Sequence, residues 1–213
     1  MRERRAMTLI FRHSEFAQRI EIEPPALTRF RRYRQLRPCS REAGGQLFGS
    51  VDAEVVRILV ANGPRRTDER SRTSFRSDPV AAQSEIDQYV ARGLVYLGEW
   101  HTHPEPQPTV SRDDIDAFSR LLRRSRLRIS VLFLLIHGTD DGGDAIAGAA
   151  ATSNVGMPNE RPRDLGSLVR NQRGKMPEKS ARKLRISANL LQLFVNPRPQ
   201  WSSPLNPRTQ SPT

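Results

Sequence analysis

The stretch "GEWHTHPEPQPTVSRDD", residues 98–114, contains two of the four histidines of the chain, separated by one residue. It overlaps the apolar run "LVYLGEW" (94–100), which is typical of a strand. It leads into "SRDDIDAFSRLLRRS" (111–125), where Ser111, followed three residues later by Asp114, is close to the capping box that begins a helix. The stretch therefore predicts a strand end, a turn and a helix start, in that order.

Three side chains of this stretch are suited to hold a metal ion. Because side chains alternate along a strand, His101 and His103 project from one side if the strand continues that far. Asp114, in the first turn of the next helix, can bring a carboxylate towards them. Two imidazole nitrogens and one carboxylate oxygen leave the fourth position of a tetrahedral Zn²⁺ open for water, which is typical of a catalytic site. Zinc lowers the pKa of that water to about 7, so we expect a hydrolytic zinc site.

A hydrolase of this kind also needs a general base that is not a ligand, and a donor for the developing oxyanion. Ser111 is a candidate for the donor, although its role as the helix cap is an equally good interpretation. Two glutamates compete for the base. Glu99 lies within the stretch itself, and Glu42 lies in "REAGGQLFGS" (41–50), just before a glycine pair. Spacing alone does not choose between them.

Outward from this stretch, strand and helix patterns alternate along the chain, which predicts an α/β fold. The run "RISVLFLLI" (128–136) is the most apolar and predicts a central strand buried on both faces. The other predicted strands cover 46–51 and 54–62 as a hairpin, a short segment 72–77, and 145–152. The other predicted helices cover 25–37 and the segment from Pro79 to about Arg92, capped by Asp78.

The composition changes after Gly156, and this sets the predicted domain organisation. Half of the 16 prolines fall in 157–213, beside many Arg, Ser and Asn residues, which is typical of a disordered segment. Within it, 180–195 has the pattern of an amphipathic helix. We therefore predict an N-terminal segment 1–24, one domain at 25–156, and a basic, proline-rich tail at 157–213 that is disordered or partly helical.

The net charge of +12 is unevenly distributed. Residues 1–41 carry +7, residues 42–156 carry −3, and residues 157–213 carry +8. Basic flanks can bind nucleic acid in a salt-dependent way. A solvated charged surface and tail is the simpler interpretation, so a nucleic-acid partner is an alternative that we do not expect.

The single cysteine, Cys39, excludes an intramolecular disulfide framework and a cysteine-based zinc finger. It also excludes the cysteine pair that a zinc nucleoside deaminase requires. Together with the absence of a run approaching 20 apolar residues, it predicts a cytoplasmic protein with no membrane partner.

These residues resemble a known family, the JAMM (MPN-plus) zinc metalloproteases. The resemblance lies in two motifs: Glu42…Gly44-Gly45-x-Leu47-x-Gly49, and His101-x-His103-Pro104-x(6)-Ser111-x-x-Asp114. It implies a central mixed sheet flanked by helices, similar to cytidine deaminases. It also implies that Glu42 is the general acid/base, that His101, His103 and Asp114 bind zinc, and that Ser111 stabilises the tetrahedral intermediate. Glu99 then has a supporting or structural role.

Over residues 36–152 the chain is most similar to the JAMM isopeptidase-like proteins of bacterial CBASS anti-phage operons and integrative elements. This similarity lies in "REAGGQLFGS" (41–50), "TSFRSDPVAAQSEID" (73–87) and "YLGEWHTHPEPQP" (96–108). It implies a deubiquitinase-like enzyme that removes a cGAS-like nucleotidyltransferase from targets to which ubiquitin-type E1 and E2 enzymes attached it.

Two alternatives remain open within this resemblance. Related JAMM proteins trim ubiquitin-like or sulfur-carrier protein precursors, and an inactive relative would serve only as a binding module. For an active isopeptidase, we expect the substrate tail to lie as an added strand along a sheet edge, in contact with 62–71 and 105–110. The remaining histidines, His13 and His137, are expected to be structural or exposed to solvent.

Overall fold

The computed structural model describes residues 8–12, 18–125, 131–140, 145–152 and 191–193. The helices are α1 (Pro24–Arg32), α2 (Pro79–Ala91) and α3 (Arg112–Arg124). The strands are β1 (Leu9–Phe11), β2 (Arg19–Ile22), β3 (Gly44–Val51), β4 (Val55–Ala61), β5 (Glu69–Arg70), β6 (Phe75–Arg76), β7 (Val95–Thr102), β8 (Val131–His137), β9 (Ile146–Thr152) and β10 (Leu191–Leu193).

Within these residues, eight strands form one mixed sheet in the order β1-β2-β4-β3-β7-β8-β9-β10. The β2–β4 and β7–β8 pairs are parallel and the other pairs are antiparallel. The strands β5 and β6 form a separate two-stranded hairpin. Helix α3 connects the parallel neighbours β7 and β8, as a parallel crossover requires. The predicted α/β class is confirmed.

Side chains from both faces of the sheet pack against helices. On one face, Phe30 of α1 contacts Trp100 of β7, with ring centroids 4.9 Å apart. On the other face, Phe48 of β3 stacks on Tyr89 of α2 at 4.2 Å. Burial of one such aromatic side chain contributes about 1.5–3 kcal/mol. All seven residues of β8 are buried, as the sequence predicted for a central strand.

Helix α1 ends at Arg32, earlier than the predicted end at Arg37. The apolar spacing continues to Leu36, but Leu36 is 61 % exposed. Gln35 is buried instead, and its amide donates to the carbonyl oxygen of Arg72 at 2.8 Å. The helix ends early because the burial of Gln35, with its hydrogen bond to Arg72, replaces the burial of Leu36 that the apolar spacing predicted.

The ends of the chain also differ from the predicted organisation. Strand β2 lies beside β4 with Ile20 and Ile22 buried, so the segment predicted to precede the domain contributes to its core. At the other end, Leu191–Leu193 pair with β9 as an antiparallel strand, which differs from the predicted helix at these three residues. The free edge of β9 offers backbone donors and acceptors that a strand satisfies and a helix does not. The rest of 180–195 lies outside the described residues.

Within the described part of the chain, the helices are all too short or too polar to cross a membrane.

Candidate active site

The two histidines are held at the centre of the sheet by the strands on either side of β7. His101 lies opposite Gly44 of β3 and opposite Ile136 of β8. The strand ends at Thr102, but the backbone N–H of His103 donates to the carbonyl oxygen of His137 at 3.0 Å. The backbone of both histidines is therefore fixed by pairing with neighbouring strands.

Helix α3 brings Asp114 to the histidines through the predicted capping box. The Ser111 hydroxyl accepts from the Asp114 N–H at 3.2 Å, and the Ser111 N–H donates to Asp114 Oδ2 at 2.9 Å. The Ser111 hydroxyl also donates to the same oxygen at 2.6 Å. Asp114 is therefore fixed both by its position in the first helical turn and by its own side-chain contacts, and the predicted helix start is confirmed.

His101, His103 and Asp114 form a cluster whose donor atoms all lie within 4.8 Å of one another. The two Nε2 atoms are 3.1 Å apart, His101 Nε2 is 3.1 Å from Asp114 Oδ1, and His103 Nε2 is 3.5 Å from Asp114 Oδ2. Ligand distances of about 2.0–2.1 Å around a tetrahedral zinc separate neighbouring ligand atoms by about 3.3 Å. The cluster thus fits a small tetrahedral cation.

Electrostatics favour the metal-binding forms of two of these donors, His103 and Asp114. Burial lowers the pKa of His103, and the neighbouring His101 lowers it further, which favours the neutral imidazole. Burial raises the pKa of Asp114, but hydrogen bonds from His101 and Ser111 outweigh it, so the pKa is about 2. At neutral pH the aspartate is therefore a carboxylate and His103 offers a free lone pair.

Glu42 lies beside this cluster because β3 pairs with β7. Glu42 comes two residues before Gly44, which pairs with His101. Only 4 % of the surface of Glu42 is exposed. Burial raises the pKa of Glu42 to about 7; His101 opposes this rise, and Asp114 and Glu105 add to it. A carboxyl group with this pKa can accept and return a proton near neutral pH.

Glu99, the competing glutamate, lies in a different polar group. It lies opposite Gln46 in the β3–β7 pair, and the Gln46 amide donates to it at 3.5 Å. Gln46 also accepts from Arg65 at 2.5 Å. Burial raises the pKa of Glu99, while its contact with Gln46 lowers it. The hydrogen bonds of Glu99 thus connect it to the loop after β4. His101 acts on the pKa of both glutamates, but Asp114 acts on the pKa of Glu42 and not on that of Glu99.

Sequence reasoning did not identify Thr102, which lies between the two histidines and is fully buried. Its hydroxyl accepts from the Ala43 N–H at 3.0 Å and donates to Gln35 at 3.4 Å. The Thr102 N–H donates back to the Ala43 carbonyl at 2.8 Å. Thr102 therefore joins the histidine strand to the residue that follows Glu42. The alternation of side chains in His-Thr-His predicts which side of the strand Thr102 faces. It does not predict the partners of Thr102, Ala43 and Gln35, which are more than fifty residues away in the sequence.

His137 is not part of the donor cluster. His137 is buried, its Nδ1 lies 2.7 Å from the carbonyl oxygen of Gly138, and its ring contacts Phe30. This agrees with the structural role expected for it. His13 lies outside the described residues. Cys39 is exposed and unpaired with another cysteine.

The sheet, the connecting helix and the donor cluster together define a JAB-type α/β domain. Residues 24–148 match the family model Prok-JAB, "Prokaryotic homologs of the JAB domain". The chain therefore belongs to this family, and the resemblance to JAMM (MPN-plus) proteins seen in the sequence is confirmed.

Three curated relatives carry the name "CD-NTase/cGAS isopeptidase". The Escherichia coli (strain TW11681) protein is 32% identical over 107 residues, covering 49% of this chain and 69% of the relative. The Vibrio cholerae serotype O1 protein is 32% identical over 118 residues, covering 54% of this chain and 73% of the relative. The Pseudomonas aeruginosa (strain BWHPSA011 / Pa011) protein is 34% identical over 120 residues, covering 55% of this chain and 76% of the relative. Each similarity covers more than two thirds of the relative's own length.

Proposed function

We propose that this protein is a zinc-dependent isopeptidase that hydrolyses the bond between the C-terminus of a cGAS-like or ubiquitin-like protein and its target. One observation carries the proposal: a compact donor cluster with zinc-like spacing lies beside a buried carboxyl group whose pKa is about 7. A structural zinc site needs no such proton acceptor. The combination is what hydrolysis of a peptide-type bond requires.

The chemistry is shared between the metal and the chain. When bound to His101, His103 and Asp114, zinc would activate water near neutral pH and polarise the carbonyl of the scissile bond. Glu42 would accept the proton of the attacking water at a carboxylate oxygen and deliver it to the leaving lysine amine. Ser111 would donate its hydroxyl proton to the oxyanion. In this structure the Ser111 hydroxyl donates to Asp114 Oδ2. To donate to the oxyanion instead, the hydroxyl would have to rotate about the Ser111 side-chain bond once the Asp114 carboxylate binds metal.

The substrate would be the extended tail of a conjugated protein. The names of the relatives favour a CD-NTase, a cGAS-like nucleotidyltransferase. Ubiquitin-type E1 and E2 enzymes would then be the partners that make the conjugate, in anti-phage defence. Arg70 and Ser71, at the end of the segment 62–71, are hydrogen-bonded to Glu42, which supports this segment as a contact for the tail. Segment 105–110 begins two residues after His103, and Glu105 Oε2 lies 3.9 Å from His103 Nδ1, which supports this segment as a second contact for the tail.

The test joins metal analysis to cleavage. The purified chain is expected to hold one zinc ion and to release free CD-NTase from an isopeptide-linked CD-NTase conjugate. Mass spectrometry of the products should show the cut at the bond between the CD-NTase C-terminus and the target lysine. Retention of zinc by His101→Ala would contradict the assigned ligand set. Cleavage by metal-free protein would contradict zinc dependence.

The same assay separates the two alternatives. An enzyme that trims ubiquitin-like or sulfur-carrier precursors would cut a linear peptide extension faster than the isopeptide conjugate. A binding module would hold the conjugate without cutting it. The three-donor cluster and the adjacent Glu42 favour a catalytic site, because binding alone needs neither.

A further inference from the structure

Glu42 lies just outside the sheet that positions the rest of the site. Strand β3 begins at Gly44, and its pairing with β7 starts at the same residue. The ladder hydrogen bonds that fix the histidine backbone therefore do not reach Glu42. Another part of the molecule must hold its backbone in place.

The β5–β6 hairpin supplies this support. The Glu42 N–H donates to the carbonyl oxygen of Ser71 at 2.8 Å. The Glu42 carbonyl oxygen accepts from Arg70 Nε at 2.5 Å, and Arg70 Nη2 donates to the Arg41 carbonyl at 3.4 Å. Both backbone polar groups of Glu42 are thus bonded to two consecutive residues of the hairpin.

The environment of Arg70 indicates that this contact is its main role. The side chain is half-buried, and burial lowers its pKa. Among the residues that the structure describes, Arg70 has no carboxylate within ion-pair distance, whereas Arg76 on the same hairpin pairs with Glu69 at 3.4 Å. The guanidinium is instead bonded to two neutral carbonyl groups at the base of Glu42. Hydrogen bonds from a charged donor are about twice as strong as those between neutral groups, so these contacts favour one position of the Glu42 backbone.

We propose that Arg70 is a positioning residue, which holds the backbone of Glu42 so that its carboxyl group faces the metal cluster. This inference rests on the proposed function for its effect on catalysis, but the contact itself can be tested without activity. A displacement of about 1 Å at a reacting group costs about 100-fold in rate, so loss of one such bond should be visible in turnover.

The test compares Arg70→Met with Arg70→Lys and with the matched control Arg76→Met, each in the full zinc-loaded chain. Arg70→Met keeps the apolar stem and removes the donors. Its turnover number on the CD-NTase conjugate should fall by about 10–100-fold, with KM changed less than threefold and one zinc retained. Arg70→Lys keeps a charged donor and should recover part of the loss. Arg76→Met should behave as the unaltered chain.

Hydrogen exchange measured by nuclear magnetic resonance provides the readout that is independent of cleavage. In Arg70→Met the Glu42 amide should exchange at least about tenfold faster, corresponding to about 1.4 kcal/mol, and Arg76→Met should leave it unchanged. If the chain cleaves nothing but this exchange pattern appears, the positioning role stands and the proposed function fails. Unchanged Glu42 exchange in Arg70→Met, or a rise in KM in place of a fall in turnover, would overturn the positioning role.

Discussion

The two halves of the candidate site are built in different ways. The metal half, which is the proposed ligand set, comes from one continuous stretch, in which a strand, a turn and a capped helix supply His101, His103 and Asp114 within fourteen residues. The acid/base half is Glu42 in its proposed role, about sixty residues earlier. It is held by the β5–β6 hairpin and by the bond between the neighbouring Ala43 and Thr102. The side chains of the first half come from one stretch, whose histidine backbone is fixed by pairing with neighbouring strands. The second half depends on contacts between segments that are far apart in the sequence.

This difference has a functional consequence. The metal half should tolerate changes in the β5–β6 hairpin, because its donors lie on β7, the turn after it and the first turn of α3. The acid/base half should respond to changes in distant contacts that leave the metal in place. Variants that separate metal binding from turnover therefore test the comparison directly.

The largest effect is expected from Asp114→Ala, because it removes a ligand and the partner of the Ser111 cap. Zinc binding should be lost and cleavage should fall at least about 1,000-fold. The control is Asp113→Ala, which changes a carboxylate one residue away in the same helical turn. Zinc content by elemental analysis and cleavage of the conjugate are the measurements. If both variants lost zinc equally, the loss would come from disruption of the helix terminus and not from removal of the Asp114 ligand.

Glu42→Gln should reduce cleavage by about 100–10,000-fold while one zinc remains bound, because it removes the proton acceptor without touching the metal half. The exposed Glu54→Gln serves as the control. The competing candidate is tested in the same series with Glu99→Gln. If Glu99→Gln abolishes cleavage and Glu42→Gln does not, the base is Glu99 and the role inferred from the family resemblance is wrong.

The same contrast explains what the sequence could and could not predict. The strand end, the capping box and the clustering of His101, His103 and Asp114 follow from period-two alternation and from residue types at fixed spacing within one stretch. The choice of Glu42 over Glu99 does not follow from spacing, since it depends on the register of β3 against β7. The Gln35–Thr102–Ala43 contacts were missed for the same reason. Strand β2 was missed although its Arg-Ile-Glu-Ile alternation is typical of a half-buried strand.

Thr102→Val tests the connection between the two halves. The change keeps the shape of the side chain and removes the hydroxyl that accepts from the Ala43 N–H. Leaving this buried N–H unpaired should cost about 2–3 kcal/mol in the free energy of unfolding. Thr28→Val, on the exposed surface of α1, should change it by less than about 0.5 kcal/mol. Chemical denaturation measures both. A cost in Thr102→Val no larger than in Thr28→Val would show that the two halves are not joined here.

The smallest effect, and the most specific to the acid/base half, is a pH dependence of stability in the metal-free chain. Burial raises the pKa of Glu42 from its usual 4.5 to about 7. The folded state therefore binds a proton more tightly than the unfolded state, and this contribution to stability is present below pH 4.5 and is lost as the pH rises through 7. A full shift corresponds to about 3 kcal/mol, and relaxation of the site should reduce the observed effect to about 1–2 kcal/mol.

Glu42→Gln removes this titration, so it isolates the contribution of one side chain. At pH 8 the metal-free variant should be more stable than the unaltered chain by about 1–2 kcal/mol, and at pH 5 the difference should shrink towards zero. Denaturation midpoints of the two proteins across this pH range provide the measurement, with Glu54→Gln expected to follow the unaltered chain. A stability difference that stays constant from pH 5 to pH 8 would mean that the Glu42 carboxyl group ionises normally. In that case the fold would not prepare it for proton transfer, and the difference between the two halves would be one of position alone.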